Sequence, residues 1–340
     1  MNGIVKGWSI VKKLAGLTGS IPGRSLWPRG LVAAAALCLV ACEAPLNLEE
    51  VRAEDERPVH RYDMFQAVAH SGEQVAVVSS VGAVLLSQDS GASWSRFDLP
   101  GRPALIDVTA CPTGEFFALD STRNVWRRSS SEGGWTSVTI DTPENTLSIY
   151  CAPNGRLWVS ASFGTLYWSD TSLAEWTEFS LYEDLQFTAV RFVDTANGFA
   201  LGEFGTVLAT SDGGDTWEQR TPIPNEFYPM GVDFLDASVG WVGGLDGVIW
   251  QTTDGAQTWE RQESVTTAPI YNIHASGHGV YAVGGSAKLV EFHGERWHIF
   301  EGAPPVLAYM RGLDTLASGS LLVAGGGGTL AVIPLGDRKS

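Results

Sequence analysis

The chain has 340 residues with 38 Asp and Glu against 22 Lys and Arg, a formal net charge of −16, and five of those bases, Lys6, Lys12, Lys13, Arg24 and Arg29, precede every acidic residue. An acidic surface of this kind repels phosphate backbones and argues against a nucleic-acid partner. The 39 Gly and 13 Trp against 4 Met favour a turn-rich β protein, long enough to bury a sizeable core.

The apolar run Leu31 to Ala41, 11 residues behind Arg24 and Arg29, is too short to span a bilayer as a helix and fits the core of a secretory signal. It ends in Leu39, Val40, Ala41 and Cys42, which resembles the lipobox of bacterial lipoproteins, so Cys42 is the expected lipidation site. Glu43 follows rather than Asp, and by resemblance to enterobacterial sorting this favours a periplasm-facing outer-membrane location. The 30 residues ahead of the apolar run are long for a signal and leave a translation start further downstream open. Residues 1–41 are thus read as a lipoprotein signal peptide, and the acidic residues 42–57 as a solvated tether. Residues 58–340 remain as the folded body.

That body is repetitive. Trp94, Trp135, Trp176, Trp217, Trp259 and Trp297 recur at intervals of 41, 41, 41, 42 and 38 residues, each at the end of a polar turn. The best copies have the Asp-box form S/T-x-D-x-G-x-T-W: Ser87, Asp89, Gly91 and Trp94; Thr210, Asp212, Gly214 and Trp217; and Thr252, Asp254 and Trp259, where Ala256 replaces the glycine. In such a turn the hydroxyl and carboxylate accept backbone N–H bonds, the glycine supplies a left-handed φ, and the Trp packs beneath. The other copies have decayed, which a turn staple tolerates and a catalytic motif does not. Gly325 to Gly336 repeats the Gly turn and strand without the Trp, giving a seventh unit.

Each unit parses as four short strands, as in FTAVRFVD, NGFALGEF, GTVLATSD and TWEQRTP. The fold class is therefore all-β: a seven-bladed β-propeller of four-stranded antiparallel blades. The last unit has three strands before the sequence stops, and the stretch His60 to Met64 is expected to supply the fourth, closing the ring through an N-terminal strand. Cys111 and Cys151 fall at the ends of adjacent inner strands, offset by one position. Alternation leaves two arrangements open, facing each other as a disulfide or directed apart.

The wording of units four and five, FVDTANGFALGEFGTVLATSDGGDTWEQ and FLDASVGWVGGLDGVIWQTTDGAQTWER, resembles the photosystem II stability and assembly factor family, whose repeat runs roughly F-x-D-x-x-x-G-W-A-V-G-x-x-G-x-I-x-x-T-x-D-G-G-x-T-W. The resemblance covers residues 58 to 336 and implies a seven-bladed propeller acting as a non-enzymatic scaffold or assembly factor for a membrane complex. Photosynthetic members of that family use an arginine patch, whereas the basic residues here are few and scattered.

Asp boxes also occur in sialidases, but the arginine triad and the F/Y-R-I-P motif of those enzymes are missing; only Arg191 and Arg311 fall on expected inner strands. His274 and His278 flank an expected hairpin without further metal ligands, and one carboxylate per box falls short of the about six to eight oxygens calcium takes. No G-x-S-x-G elbow or phosphate loop is present, so no catalytic residue, metal or cofactor is expected. The remaining surface is the mouth, bordered by connections from each outer strand to the next inner strand. These carry Tyr182, Phe187, Phe227, Tyr228, Tyr271, Tyr309 and Arg311, beside Glu183, Asp184 and Glu226, a composition suited to protein recognition. The expected partner is a protein component of an envelope or membrane complex, bound by a lipid-anchored monomer. The competing reading is a glycan-binding or glycan-cleaving propeller using exposed Trp158 or Trp241.

Overall fold

The computed structural model describes residues 49–128, 134–304 and 308–335; Cys42 and the segment read as a signal peptide lie outside them. Within the stretch read as a tether, Glu49–Asp55 forms a seven-residue α-helix. The body beyond it is a seven-bladed β-propeller, with six four-stranded antiparallel sheets and one of three strands.

The inner strands of blades one to seven are Phe65–Ser71, Leu105–Ala110, Thr146–Cys151, Phe187–Phe192, Gly231–Phe234, Ile270–Ser276 and Met310–Thr315. Second strands such as Leu157–Ala161 and Leu321–Gly325 are buried at every residue, which accounts for their largely apolar sequences; the Ser160 hydroxyl among them is bonded to Ser148. Outer strands such as Ser95–Asp98 are solvent-facing and polar. The core is divided into seven apolar clusters, each shared by two neighbouring blades. No blade is therefore stable without its neighbours, and the ring has to close between blades seven and one.

That closure differs from the sequence expectation. Residues 58–63 form no strand: the His60 backbone N–H donates to Asp63 Oδ2 at 2.8 Å and the Asp63 N–H to the His60 carbonyl at 3.0 Å, folding the segment into a turn. Its only ladder contact is the bridge between Met64 and Gly326, so the outer position of blade seven stays unfilled among the described residues. The turn acts instead as a latch. The Asp63 carbonyl accepts the Gly328 N–H of blade seven at 2.9 Å, while the fully buried carboxylate takes three bonds from the Arg96 guanidinium of blade one at 2.8 to 3.1 Å. Arg96 also donates to the Pro58 carbonyl at 3.1 Å. Beneath the latch, Phe65, Val75, Val77 and Leu85 of blade one pack with Leu316, Leu322 and Ala324 of blade seven.

The Asp boxes have the geometry of turn staples. The Thr210 hydroxyl accepts the Gly214 N–H at 3.0 Å, and Asp212 accepts the Thr216 N–H at 2.9 Å and its hydroxyl at 2.6 Å. The same bonds recur at Ser87 with Asp89 and at Thr252 with Asp254. Each box also seats against the preceding blade. An added Cβ at Gly214, whose φ is +90°, would come within 2.2 Å of Trp158 in blade three, and one at Gly91 within 2.7 Å of Val332 in blade seven. Trp217 meets Trp158 edge-on with centroids 5.6 Å apart. A disulfide joins Cys111 of blade two to Cys151 of blade three, with Cα atoms 5.1 Å apart.

Three outcomes follow. Asp63→Ala removes the buried carboxylate and leaves Arg96 only the more exposed Asp98, 2.9 Å from its Nε, as an ionic partner, and should cost about 2 to 3 kcal/mol of unfolding free energy, measured by urea titration. Gly214→Ala places a methyl group against Trp158 in a left-handed conformation and should cost more than about 1 kcal/mol by the same assay. Hydrogen bonds from Ser93 and Ser87 hold the Asp89 carboxyl down at about 2 against an ordinary 3.8. A depressed carboxylate contributes stability above its unfolded value and loses it as pH falls through the folded one. The melting temperature should thus fall between pH 3.8 and about 2, and less steeply in Asp89→Asn.

Candidate functional site

Two surfaces gather side chains with chemistry: the mouth, and the channel walled by the inner strands. On the mouth, each turn between the second and third strands lies beside the connection leaving the outer strand of the same blade. Gly164 donates to the Leu185 carbonyl and Leu181 to the Gly164 carbonyl in blade three, while Gly205 donates to Phe227 and Ile223 to Gly205 in blade four. The blades are also tied to each other here, since the Glu203 N–H donates to the Gln186 carbonyl at 2.9 Å and the Gln186 N–H to Glu203 Oε2 at 3.0 Å.

The residues singled out from the sequence separate by exposure and by place in the ring. Tyr182 is 78% exposed and Tyr228 is 37% exposed, both in connections on the mouth. Tyr271, Tyr309 and Arg311 form a second group at the junction of blades six, seven and one. There the Arg311 guanidinium lies 5.5 Å from the Tyr271 ring centroid and donates to Gln66 Oε1 at 3.0 Å, and Gln66 Nε2 donates to Tyr309 Oη at 2.9 Å. Phe187 is fully buried among Trp158, Val190 and Leu208, so it packs blades three and four rather than meeting a partner. Phe227 is half-buried, its ring against Gly244 of blade five. The Trp residues offered as a glycan platform are likewise core: Trp158 and Trp241 are buried between blades.

The sequence reading passed over Phe163, Phe204 and Leu245, which are 50%, 57% and 53% exposed at the turn tips of blades three, four and five. Phe163 and Phe204 have φ of 61° and 59°, a left-handed backbone that bulky residues avoid. The signal was present in the parallel SFGT and EFGT, where an apolar residue precedes the turn glycine in place of a polar one.

In the channel, His70, Asp107, Tyr150, Arg191, Asp233, His274 and Asp314 surround a cavity of about 290 Å³. Most of this charge is engaged in joining blades. Asp107 accepts the Ile149 N–H of blade three and Asp233 the Ala275 N–H of blade six, at 2.9 and 2.8 Å. His70 Nδ1 meets Asp314 Oδ2 at 2.7 Å, and this hydrogen bond holds the imidazole above its ordinary value. Burial pushes the Asp107 and Asp233 carboxyls up, opposed by the Arg191 charge, and pushes the Tyr150 hydroxyl up to about 12. Arg191 lies over the Tyr150 ring at 5.3 Å. His274, read from the sequence as a hairpin residue, belongs to this channel, 3.5 Å from Asp233 and 3.8 Å from Asp314, whereas His278 is exposed in the hairpin. No group of three or more His, Cys, Asp or Glu among the described residues is arranged to hold a metal.

Residues 168–269 match the family model described as Photosynthesis system II assembly factor YCF48. Over 162 residues the chain is 26% identical to Photosystem II assembly protein Ycf48 of Thermosynechococcus vestitus, covering 45% of the chain and 46% of that protein. Over 157 residues it is 31% identical to Photosystem II assembly lipoprotein Ycf48 of Parasynechococcus marenigrum, covering 44% and 46%. The matches thus span about half the length of these curated relatives. Among solved structures, YCF48 from Cyanidioschyzon merolae superposes with a TM-score of 0.65 at 16% identity, covering 81% of this chain and 97% of that one. YCF48 bound to D1 peptide gives 0.66 at 14%, covering 82% and 94%, and a streptogramin B lyase gives 0.67 at 14%, covering 79% and 92%. At such identities the superpositions establish the fold alone, which assembly proteins and enzymes share. The sequence matches are more specific: residues 168–269 resemble the BNR-like repeats of the photosystem II assembly factor family.

Proposed function

We propose that this protein is a non-catalytic, lipid-anchored scaffold or assembly factor, which binds a protein component of a membrane complex through the mouth of its propeller. The observation that carries this reading is the exposure of Phe163, Tyr182, Phe204, Tyr228 and Leu245 on one face, within and beside the stretch that matches the assembly-factor model. Solvated aromatic side chains at neighbouring turn tips are the raw material of a protein interface. The relatives are named as assembly proteins, and one structural neighbour is a YCF48 bound to a D1 peptide, which supports the same role. A second basis for the non-catalytic reading is that the channel carboxylates already accept backbone N–H groups.

Anchoring is assigned to Cys42 in the lipobox-like LVAC, and two of the relatives are named lipoproteins. With the anchor in the envelope, the acidic body would stand clear of the bilayer and present its mouth to a complex under construction.

Affinity purification from detergent-solubilised membranes should recover a membrane-complex subunit; recovery of envelope polysaccharide and no protein would contradict the scaffold reading. Cys42→Ser should leave the chain unlipidated and released from the membrane fraction on alkaline washing. Retention of a fully processed, membrane-bound variant would show that Cys42 is not the anchor.

A further inference from the structure

Resting on the scaffold reading above, we infer that the mouth of blades three to five docks a cationic amphipathic helix of the partner protein. The surface is continuous. The turn holding Phe163 is clasped by the connection holding Tyr182, that connection is bonded through Gln186 to Glu203 beside Phe204, and the Gly205 N–H bonds the Phe227 carbonyl next to Tyr228. The Met230 N–H then bonds the Gly243 carbonyl, which leads into the turn of Leu245. Five exposed apolar side chains thus follow one another along an arc over three blades.

Charge fixes the kind of partner. Glu183, Asp184 and Glu226 are exposed beside the apolar tips, as is Asp246, and Glu203 is half-buried among them. The segments 162–164, 181–186, 203–206, 221–230 and 244–248 contain no Lys or Arg. Among the described residues none of these five carboxylates lies in an ion pair. Arg261, on the outer strand of blade five, borders Asp246 at the edge of the arc. An apolar stripe flanked by unpaired carboxylates is complementary to a helix with apolar residues on one face and Lys or Arg along its borders.

The backbone adds an independent observation. Phe163 and Phe204 occupy left-handed turn positions where glycine is unstrained, and their rings are half or more exposed. Neither fold nor packing explains a bulky residue there. Strain kept at an exposed tip is accounted for when the ring has a partner outside the chain.

The test uses the propeller with a labelled amphipathic Leu/Lys peptide of about 18 residues, a length of roughly five helical turns, and a Leu/Glu peptide with the same apolar face as control. Fluorescence anisotropy should show binding of the Leu/Lys peptide that weakens with added salt, and far weaker binding of the control. The double variant Phe163→Gly/Phe204→Gly should lose roughly tenfold or more in affinity while its melting temperature stays level or rises by about 2 °C. Glu183→Gln with Asp246→Asn should weaken binding and flatten the salt dependence without unfolding the chain. Equal affinity for the two peptides, or unchanged affinity in the double glycine variant, would overturn the inference. So would capture of phosphatidylglycerol vesicles by the wild type and not by the double variant, which would make the arc a lipid contact. The double variant also separates this claim from the scaffold reading: if it still recovers the membrane subunit that the wild type recovers, the scaffold stands and the arc falls.

Discussion

Closing the ring is the constraint on which the rest of this propeller depends. Every blade buries apolar residues on both faces, so an interface left open would expose a cluster such as Phe65, Val77, Leu85 and Leu322. The chain closes that interface with side-chain packing, with an ionic latch in which Asp63 stands between Arg96 of blade one and the Gly328 N–H of blade seven, and with the bonds His70 makes to Asp314 and Gln66 makes to Tyr309 and Arg311. An outer strand would have contributed a ladder of backbone bonds. The latch contributes a few strong, charge-assisted ones, and they are strong because the carboxylate is fully buried.

The same economy of contacts appears at the other interfaces. Asp107 and Thr109 of blade two accept the Ile149 and Cys151 N–H groups of blade three, and Asp233 of blade five accepts the Ala275 N–H of blade six, each 42 residues further along. The Asp boxes complete this at the outer rim, where Gly214 approaches Trp158 more closely than any Cβ allows. Inner carboxylates and outer turns therefore both join blades, which leaves the mouth as the face whose side chains are least engaged. Tyr182, Phe163 and Phe204 are exposed there, uncovered by any of the described residues.

Much of the architecture was legible because it is periodic. The Trp spacing defined the blades, and the strand boundaries in blades four and five fall within the runs read from the sequence: FTAVRFVD contains Phe187–Phe192 and NGFALGEF contains Gly198–Gly202. What was not legible depends on contacts between distant parts of the chain. Residues 60–63 look extended in isolation, and become a turn because Asp63 caps His60 while meeting Arg96, 33 positions away. Phe187, Trp158 and Trp241 have the composition of recognition residues, yet strand alternation and the neighbouring blade bury them. Cys111 and Cys151 face each other with Cα atoms 5.1 Å apart, one of the two arrangements that their offset of one position leaves open. Conversely, Phe163 and Phe204 are apolar residues next to buried strands, and only their place at the turn tip distinguishes them from core.

Binding of a membrane-complex protein at the mouth of blades three to five, as proposed above, is open to direct test. Its most direct measurement is site-specific photo-crosslinking in intact cell envelopes, with p-benzoylphenylalanine placed at Phe204 and, for comparison, at Ile299 on an exposed outer strand. A discrete adduct with a membrane-complex subunit is expected from position 204, mapped by mass spectrometry to a basic amphipathic segment, and none from position 299. An adduct formed from position 299 with position 204 silent would contradict the proposal.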